Sequence, residues 1–214
     1  MYGVGRHRIE ETNFRLLYVC TGNICRSPFA EIVTRHLLIA RLGGRAASAF
    51  DVSSAGGQAV VGSGMHRFTR QELAPWGLDR DAADLFTARQ LRPAMIAEAH
   101  LVLGLSTRHR SVVIDCEPAA LSTTFSLREF ARLADEVDPL ALPAEPVARA
   151  HALVEQVRGL RGVSPPRLPD ADRIPDPIGR PAEAHREAAA LIADAVERIV
   201  EAIAPPLSTR LARG

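Results

Sequence analysis

Eight residues, Cys20-Thr21-Gly22-Asn23-Ile24-Cys25-Arg26-Ser27, constrain this chain more than any others. They follow a short apolar run, Leu16 to Cys20, and precede a segment of helical period, Pro28 to Leu42. A buried strand running through a short loop into a helix puts a cysteine at the strand end and an arginine at the helix start. In that geometry successive backbone N–H groups converge on one point, and the positive end of the helix dipole adds to them. Such a point suits a tetrahedral dianion, and the same field favours a charged Cys20 sulfur. A sulfur nucleophile beneath a bound phosphate is the arrangement of a phosphoryl-transfer site.

The loop side chains fit that chemistry. Cys20 is the expected nucleophile, giving a cysteinyl-phosphate that water then hydrolyses. Arg26 offers a planar fork that matches two phosphate oxygens. Ser27 can donate its hydroxyl to the Cys20 sulfur, cap the following helix, or both. Gly22 and Asn23 both tolerate the left-handed backbone of a tight anion loop. Thr21, Gly22, Asn23, Ile24, Cys25 and Ser27 form the expected phosphate-binding set.

Along the rest of the chain strands alternate with helices, which predicts an α/β fold. Strands are expected at Leu16–Cys20, Phe50–Ser54, Leu101–Leu105 and Thr123–Phe125. Helices are expected at Pro28–Leu42, Met65–Ala74, Ala88–Leu91, Pro93–Glu98, Thr107–Cys116, Leu127–Ala134 and Glu183–Ile203. Residues 138–173 differ in texture, with many prolines and helical period only at Val147–Leu160. They read as a partly mobile excursion within one domain over residues 14–204, between a loose tail at 1–13 and another at 205–214.

Val19 to Pro28, with Ala30 and Glu31 behind it, closely resembles the phosphate loop of low-molecular-weight protein tyrosine phosphatases. Ser53-Ser54-Ala55-Gly56 is similar to that family's Ser-Ala-Gly strand end, and Asp176-Pro177 to its Asp-Pro pair. The resemblance implies a four-stranded parallel sheet of order 2-1-3-4 with helices on both faces, and the site at the C-terminal edge of the first strand. It implies Asp176 as general acid and base; Asp138-Pro139 repeats the dipeptide but lacks the Ile178-Gly179 and closing helix that follow, and Asp170 and Asp172 are runners-up. It makes Ser54 a partner of Asn23. It offers Cys25 as a reversible disulfide partner of Cys20, with a small packed residue as the alternative. The sequence departs from the family at the aromatic walls of its pocket, where Val60, Val61 and Ile178 stand. Ile24, where relatives turned toward phosphoarginine tend to carry Thr, favours aryl esters. A phosphotyrosine-containing protein is the implied substrate. An arsenate reductase on the same fold and a phosphate-binding protein without turnover are the alternatives.

Composition removes several other classes. Formal net charge is +1, so neither a nucleic-acid nor a membrane field is expected. All 26 basic residues are arginine, which removes lysine-dependent nucleotide loops and Schiff-base chemistry. Three cysteines, two of them in one loop, are not a secreted disulfide framework, and a cytoplasmic protein is expected. The seven histidines show no paired metal spacing and read as surface or core residues; neither metal nor cofactor is expected. Cys116 reads as a packed helix residue. The oligomeric state is not legible.

Overall fold

The structure, a computed structural model, describes residues 12–163, 165 and 172–206. Asp170, most of both expected tails and the end of the proline-rich stretch lie outside them. Strands β1 (Phe14–Cys20), β2 (Phe50–Gly56), β3 (Leu101–Gly104) and β4 (Thr124–Ser126) form one parallel sheet of order β2-β1-β3-β4. Among the described residues the helices are α1 (Arg26–Leu42), α2 (Gly44–Ala47), α3 (Arg67–Gln71), α4 (Asp81–Asp84), α5 (Pro93–Ala97), α6 (Thr107–Cys116), α7 (Leu127–Ala134), α8 (Pro146–Leu160) and α9 (Ala182–Ile203).

Period-2 alternation divides the strands between two cores. Leu16, Tyr18 and Cys20 of β1 and Leu101 and Leu103 of β3 face the larger core, built with α1, α7, α8 and α9. Leu17, Val19 and Val102 face the smaller one, against Ile96 of α5 and Val113 of α6. Each fully buried side chain of this size contributes about 1.5–3 kcal/mol, so β1, covered on both faces, is the firmest element of the sheet. The first loop starts from its C-terminal end.

The two segments flanking the loop follow their sequence pattern, and the longer loops do not. Ala88–Leu91 is extended rather than helical: Gln90 bridges Gly56 in parallel, Gly56 N–H donates to Arg89 O (3.0 Å) and Leu91 N–H to Gly56 O (2.8 Å). The open edge of β2 supplies partners that outweigh the local helix preference. The helix expected at Met65–Ala74 is only α3 and a 3-10 turn, Ala74–Trp76, because Pro75 has no N–H to continue a regular helix. Cys116, expected to be packed, is exposed at the end of α6.

Residues 138–160 differ most from expectation. Helix α8 buries Val147, Ala150, Leu153, Val154 and Val157 in the larger core, so this part is a packed layer and not a mobile excursion. Arg149, 2% exposed, fastens it: its guanidinium donates to the carbonyls of Pro139, Leu142, Pro143 and, at the end of α9, Ala202.

Candidate active site

The loop between β1 and α1 is held by its carbonyls. Those of Cys20, Thr21, Gly22 and Ile24 accept from the N–H groups of Gly57, Gln58, Val60 and His66, at 2.7–3.0 Å. Four outward carbonyls turn the intervening amides inward. The N–H groups of Gly22, Ile24, Cys25, Arg26 and Ser27 donate to no protein group among the described residues, as an oxyanion cradle requires. The close seating depends on Gly56, where a Cβ would fall 2.5 Å from Thr21 O. The left-handed position is Asn23 (φ 54°), which Asn tolerates; Gly22 is not among the positive-φ residues.

A polarised chain of hydrogen bonds aims one proton at the sulfur. Arg89 N–H donates to Asn23 Oδ1 (2.9 Å), which fixes the orientation of the amide. Asn23 Nδ2 then donates to Ser54 Oγ (2.8 Å) and Ser27 Oγ (2.9 Å). Ser54 donates its own proton to Glu31 Oε2 (2.6 Å). Ser27 Oγ, already accepting, is left to donate to Cys20 Sγ at 2.9 Å. Asn23 N–H adds a second donor to that sulfur at 3.3 Å. Burial pushes the Glu31 carboxyl up from its ordinary value, while the Ser54 bond and Arg35 (3.0 Å) hold its charged form. Ser27 is not the helix cap: Cys25 occupies that position, without a side-chain bond.

Asp176 lies 150 residues from Arg26 in sequence, and its Oδ2 accepts from Arg26 Nη2 at 2.5 Å. Arg26 is 6% exposed and Asp176 is 49% exposed. Ile178 N–H donates to the other oxygen of Asp176 at 3.2 Å. Buried Ile174 and Pro177 seat this segment on the core side. Among the described residues the other acidic candidates are used elsewhere. Asp138 caps the 3-10 turn Pro139–Ala141 through Leu140 N–H (2.9 Å), and Asp172 pairs through both oxygens with Arg132 of α7 (3.0 and 3.3 Å).

A thiol flanked by two donors, inward amides, a buried guanidinium and an exposed carboxylate can bind a phosphoryl group and move protons at its mouth. The rim is apolar. A Cβ on Gly22 would meet Ile24 at 3.5 Å and Val60 at 3.6 Å, so both side chains border the loop. Ile178 stands beside Asp176, and Val61 is 67% exposed.

Sequence reasoning missed several groups. His109 Nε2 contacts Thr21 Oγ1 at 2.9 Å and its Nδ1 contacts Ser106 Oγ at 2.9 Å. Burial and then the Arg26 charge lower its pKa to about 4, so the ring is neutral at physiological pH. Arg89 and Glu31 also went unassigned. His66 and His185, which spacing did not pair, fold together with Cys25. Cys20, Cys25 and Cys116 are free thiols, and burial pushes Cys25 up to about 12.

The sequence model of a family described as low molecular weight phosphotyrosine protein phosphatase matches residues 15–160. That span includes the loop and ends before Asp176, whose place in the site therefore rests on geometry. A protein-arginine-phosphatase of Geobacillus stearothermophilus is 31% identical over 134 residues, covering 62% of this chain and 82% of that protein. A putative low molecular weight protein-tyrosine-phosphatase of Klebsiella pneumoniae is 29% identical over 141 residues, covering 66% and 90%. In structure, the YwlE arginine phosphatase from Geobacillus stearothermophilus aligns with a TM-score of 0.61 at 26% identity, over 94% of this chain and 96% of that one.

Proposed function

As a member of the low molecular weight phosphotyrosine protein phosphatase family, this chain is a cysteine-dependent phosphatase, and we propose that it hydrolyses phosphotyrosine in proteins with Cys20 as nucleophile. The observation that carries this reading is the meeting of Asp176 with Arg26 above the Cys20 loop. The phosphate dianion enters the ring of inward amides, and Arg26 turns its fork from Asp176 to two phosphoryl oxygens. Cys20 attacks phosphorus as the thiolate, the bond from phosphorus to the ester oxygen breaks, and protonated Asp176 gives its proton to that oxygen. Water then attacks the thiophosphate, Asp176 takes the proton, and the S–P bond breaks. Ser27 and the Asn23 amide receive the departing thiolate with preset donors.

The apolar rim of Ile24, Val60 and Ile178 suits a phenyl leaving group, and a phosphoserine side chain is too short to reach a sulfur seated at the base of the loop. A second reading, phosphoarginine, is favoured by the 31% identical relative that bears that name. Phosphate release from matched phosphotyrosine, phosphoarginine and phosphoserine peptides separates the two. We expect phosphotyrosine to be fastest. Faster release from phosphoarginine would overturn the substrate and leave the mechanism, and thiol-dependent arsenate reduction without ester hydrolysis would overturn both. Three free thiols, one of them the nucleophile, fit work in the cytoplasm, where thiols stay reduced. No helix among the described residues is long and apolar enough to cross a membrane. Residues 14–204 are proposed to act as one domain.

A further inference from the structure

Behind the phosphate loop lies a group of reactive side chains that hydrolysis does not use. Cys25 from the loop, His66 from the residue before α3 and His185 from the first turns of α9 have ligand atoms all within 4.8 Å of one another. Cys25 is 3% and His185 1% exposed. The two imidazoles stack, 4.4 Å between centroids and 9° between planes. His66 Nδ1 is buried without a hydrogen-bond partner among the described residues, and buried His185 Nε2 has no well-formed bond, only a weak one to the Pro177 backbone. A buried nitrogen that is unpaired or weakly paired is unfavourable. Two of them beside a thiol share one remedy, a common electrophile.

We propose that Cys25, His66 and His185 bind a zinc-type divalent cation through one thiolate and two neutral imidazoles. One sulfur and two nitrogens suit a borderline-soft tetrahedral ion, with water in the fourth position. Thr69 supplies the outer support: its Oγ1 contacts His185 Nδ1 at 2.7 Å and also bonds the Cys25 sulfur. In the metal-bound form Nδ1–H donates to Thr69, Thr69 donates to sulfur, and the Nε2 lone pair faces the ion. The S–H bond of Cys25 breaks as the metal–sulfur bond forms, and one proton leaves to solvent per ion bound. Donors around such an ion sit about 3.5 Å apart, so the three atoms close in by roughly 1 Å and the rings tilt off their stack. His66, the least buried of the three, has the freedom to do so. An ion here fastens the loop to α3 and to the helix that follows Asp176, and withholds Cys25 from Cys20.

The test uses chelator-treated protein carrying Cys20→Ser and Cys116→Ser, so that Cys25 is the one thiol, titrated with Co2+ and then displaced with Zn2+. The proposal expects one ion per chain, a thiolate-to-cobalt charge-transfer band, one proton released and a higher melting temperature. Adding His66→Gln or His185→Gln should weaken binding by at least about 100-fold, and Thr69→Val by about 10- to 100-fold with the band retained. His66 is not fully buried, so its variant is expected to fold, which circular dichroism checks. No charge-transfer band, or unchanged affinity in folded His66→Gln, overturns the site.

Discussion

The phosphate loop and the Asp176 segment meet at the bond between Arg26 and Asp176 and are built in opposite ways. In the loop, four carbonyls are tied to one neighbouring stretch and a buried amide orients two hydroxyls. Asn23, Ser27 and Ser54 are fully buried, and each has a fixed donor or acceptor role. Asp176 is half exposed and has two bonds, one to Arg26 and one to Ile178 N–H. Its neighbours are firm: Ile174 is buried and Asp172 is gripped by Arg132. The proposed nucleophile is thus preorganised by many coupled contacts, whereas the proposed acid is a free end on an anchored base. Electrostatic stabilisation of a fixed oxyanion rewards rigidity. A group that must give and then take a proton, and let go of Arg26 on the way, is better held loosely.

That contrast can be broken from either side. The largest effect is expected at Arg26, which serves both. Arg26→Lys keeps the charge and loses the fork, so p-nitrophenyl phosphate turnover should fall almost as far as in Arg26→Ala. Near-parent rates in the lysine variant would leave Arg26 as a charge alone. Asp176→Asn should cut turnover roughly 100- to 10,000-fold for poor leaving groups and much less for p-nitrophenol. An equal loss on both substrates would give Asp176 a structural role.

Asn23→Ala tests the coupled side. It leaves Ser27, Ser54 and Arg89 N–H without their partner and puts a left-handed residue under strain, so chemical denaturation should show a loss of about 2–4 kcal/mol. A stability cost under about 0.5 kcal/mol would mean the network is not cooperative. His109 probes the same side by pH. Its folded pKa, about 4, lies below the unfolded value of about 6.5, so the unfolded state takes the proton first. Its contribution is present above about pH 6.5 and lost as pH falls toward 4. Denaturation midpoints should therefore drop between neutral and mildly acid buffer in the parent, and less in His109→Gln. The smallest effect concerns the rim. Ile178→Tyr restores a stacking surface beside Asp176 and should lower the KM for phosphotyrosine peptides by at most about tenfold. An unchanged KM would show that Ile178 does not touch the substrate.

What was legible in the sequence follows the range of the interactions involved. A strand, a tight loop and a helix are consecutive, so Cys20, Arg26 and the geometry between them show in a short window. Strand order came with the family resemblance, and period-2 alternation in β1 supports it. Asp176 was separable from Asp138 only through the residues that follow it, and here the Arg26 contact separates them directly. The convergence of Cys25, His66 and His185, the use of Arg89 and Glu31, and the contact of His109 with Thr21 join residues tens of positions apart and leave no local period. Helix α8 was visible as a helix, but its packing was not. Proline-rich flanks read as a loose excursion, while the buried guanidinium of Arg149 that binds it to the end of α9 has no sequence signature.

The claim on which the rest depends is that phosphate passes through the Cys20 sulfur. Asp176→Asn should slow the second step more than the first when p-nitrophenyl phosphate is the substrate, and so accumulate the phosphoenzyme. Rapid acid quench followed by peptide mapping in a mass spectrometer should then find one phosphoryl group on the peptide containing Cys20, absent when Cys20→Ser is added. A phosphoryl group on any other side chain, or product formation with no phosphoenzyme at all, would contradict the account.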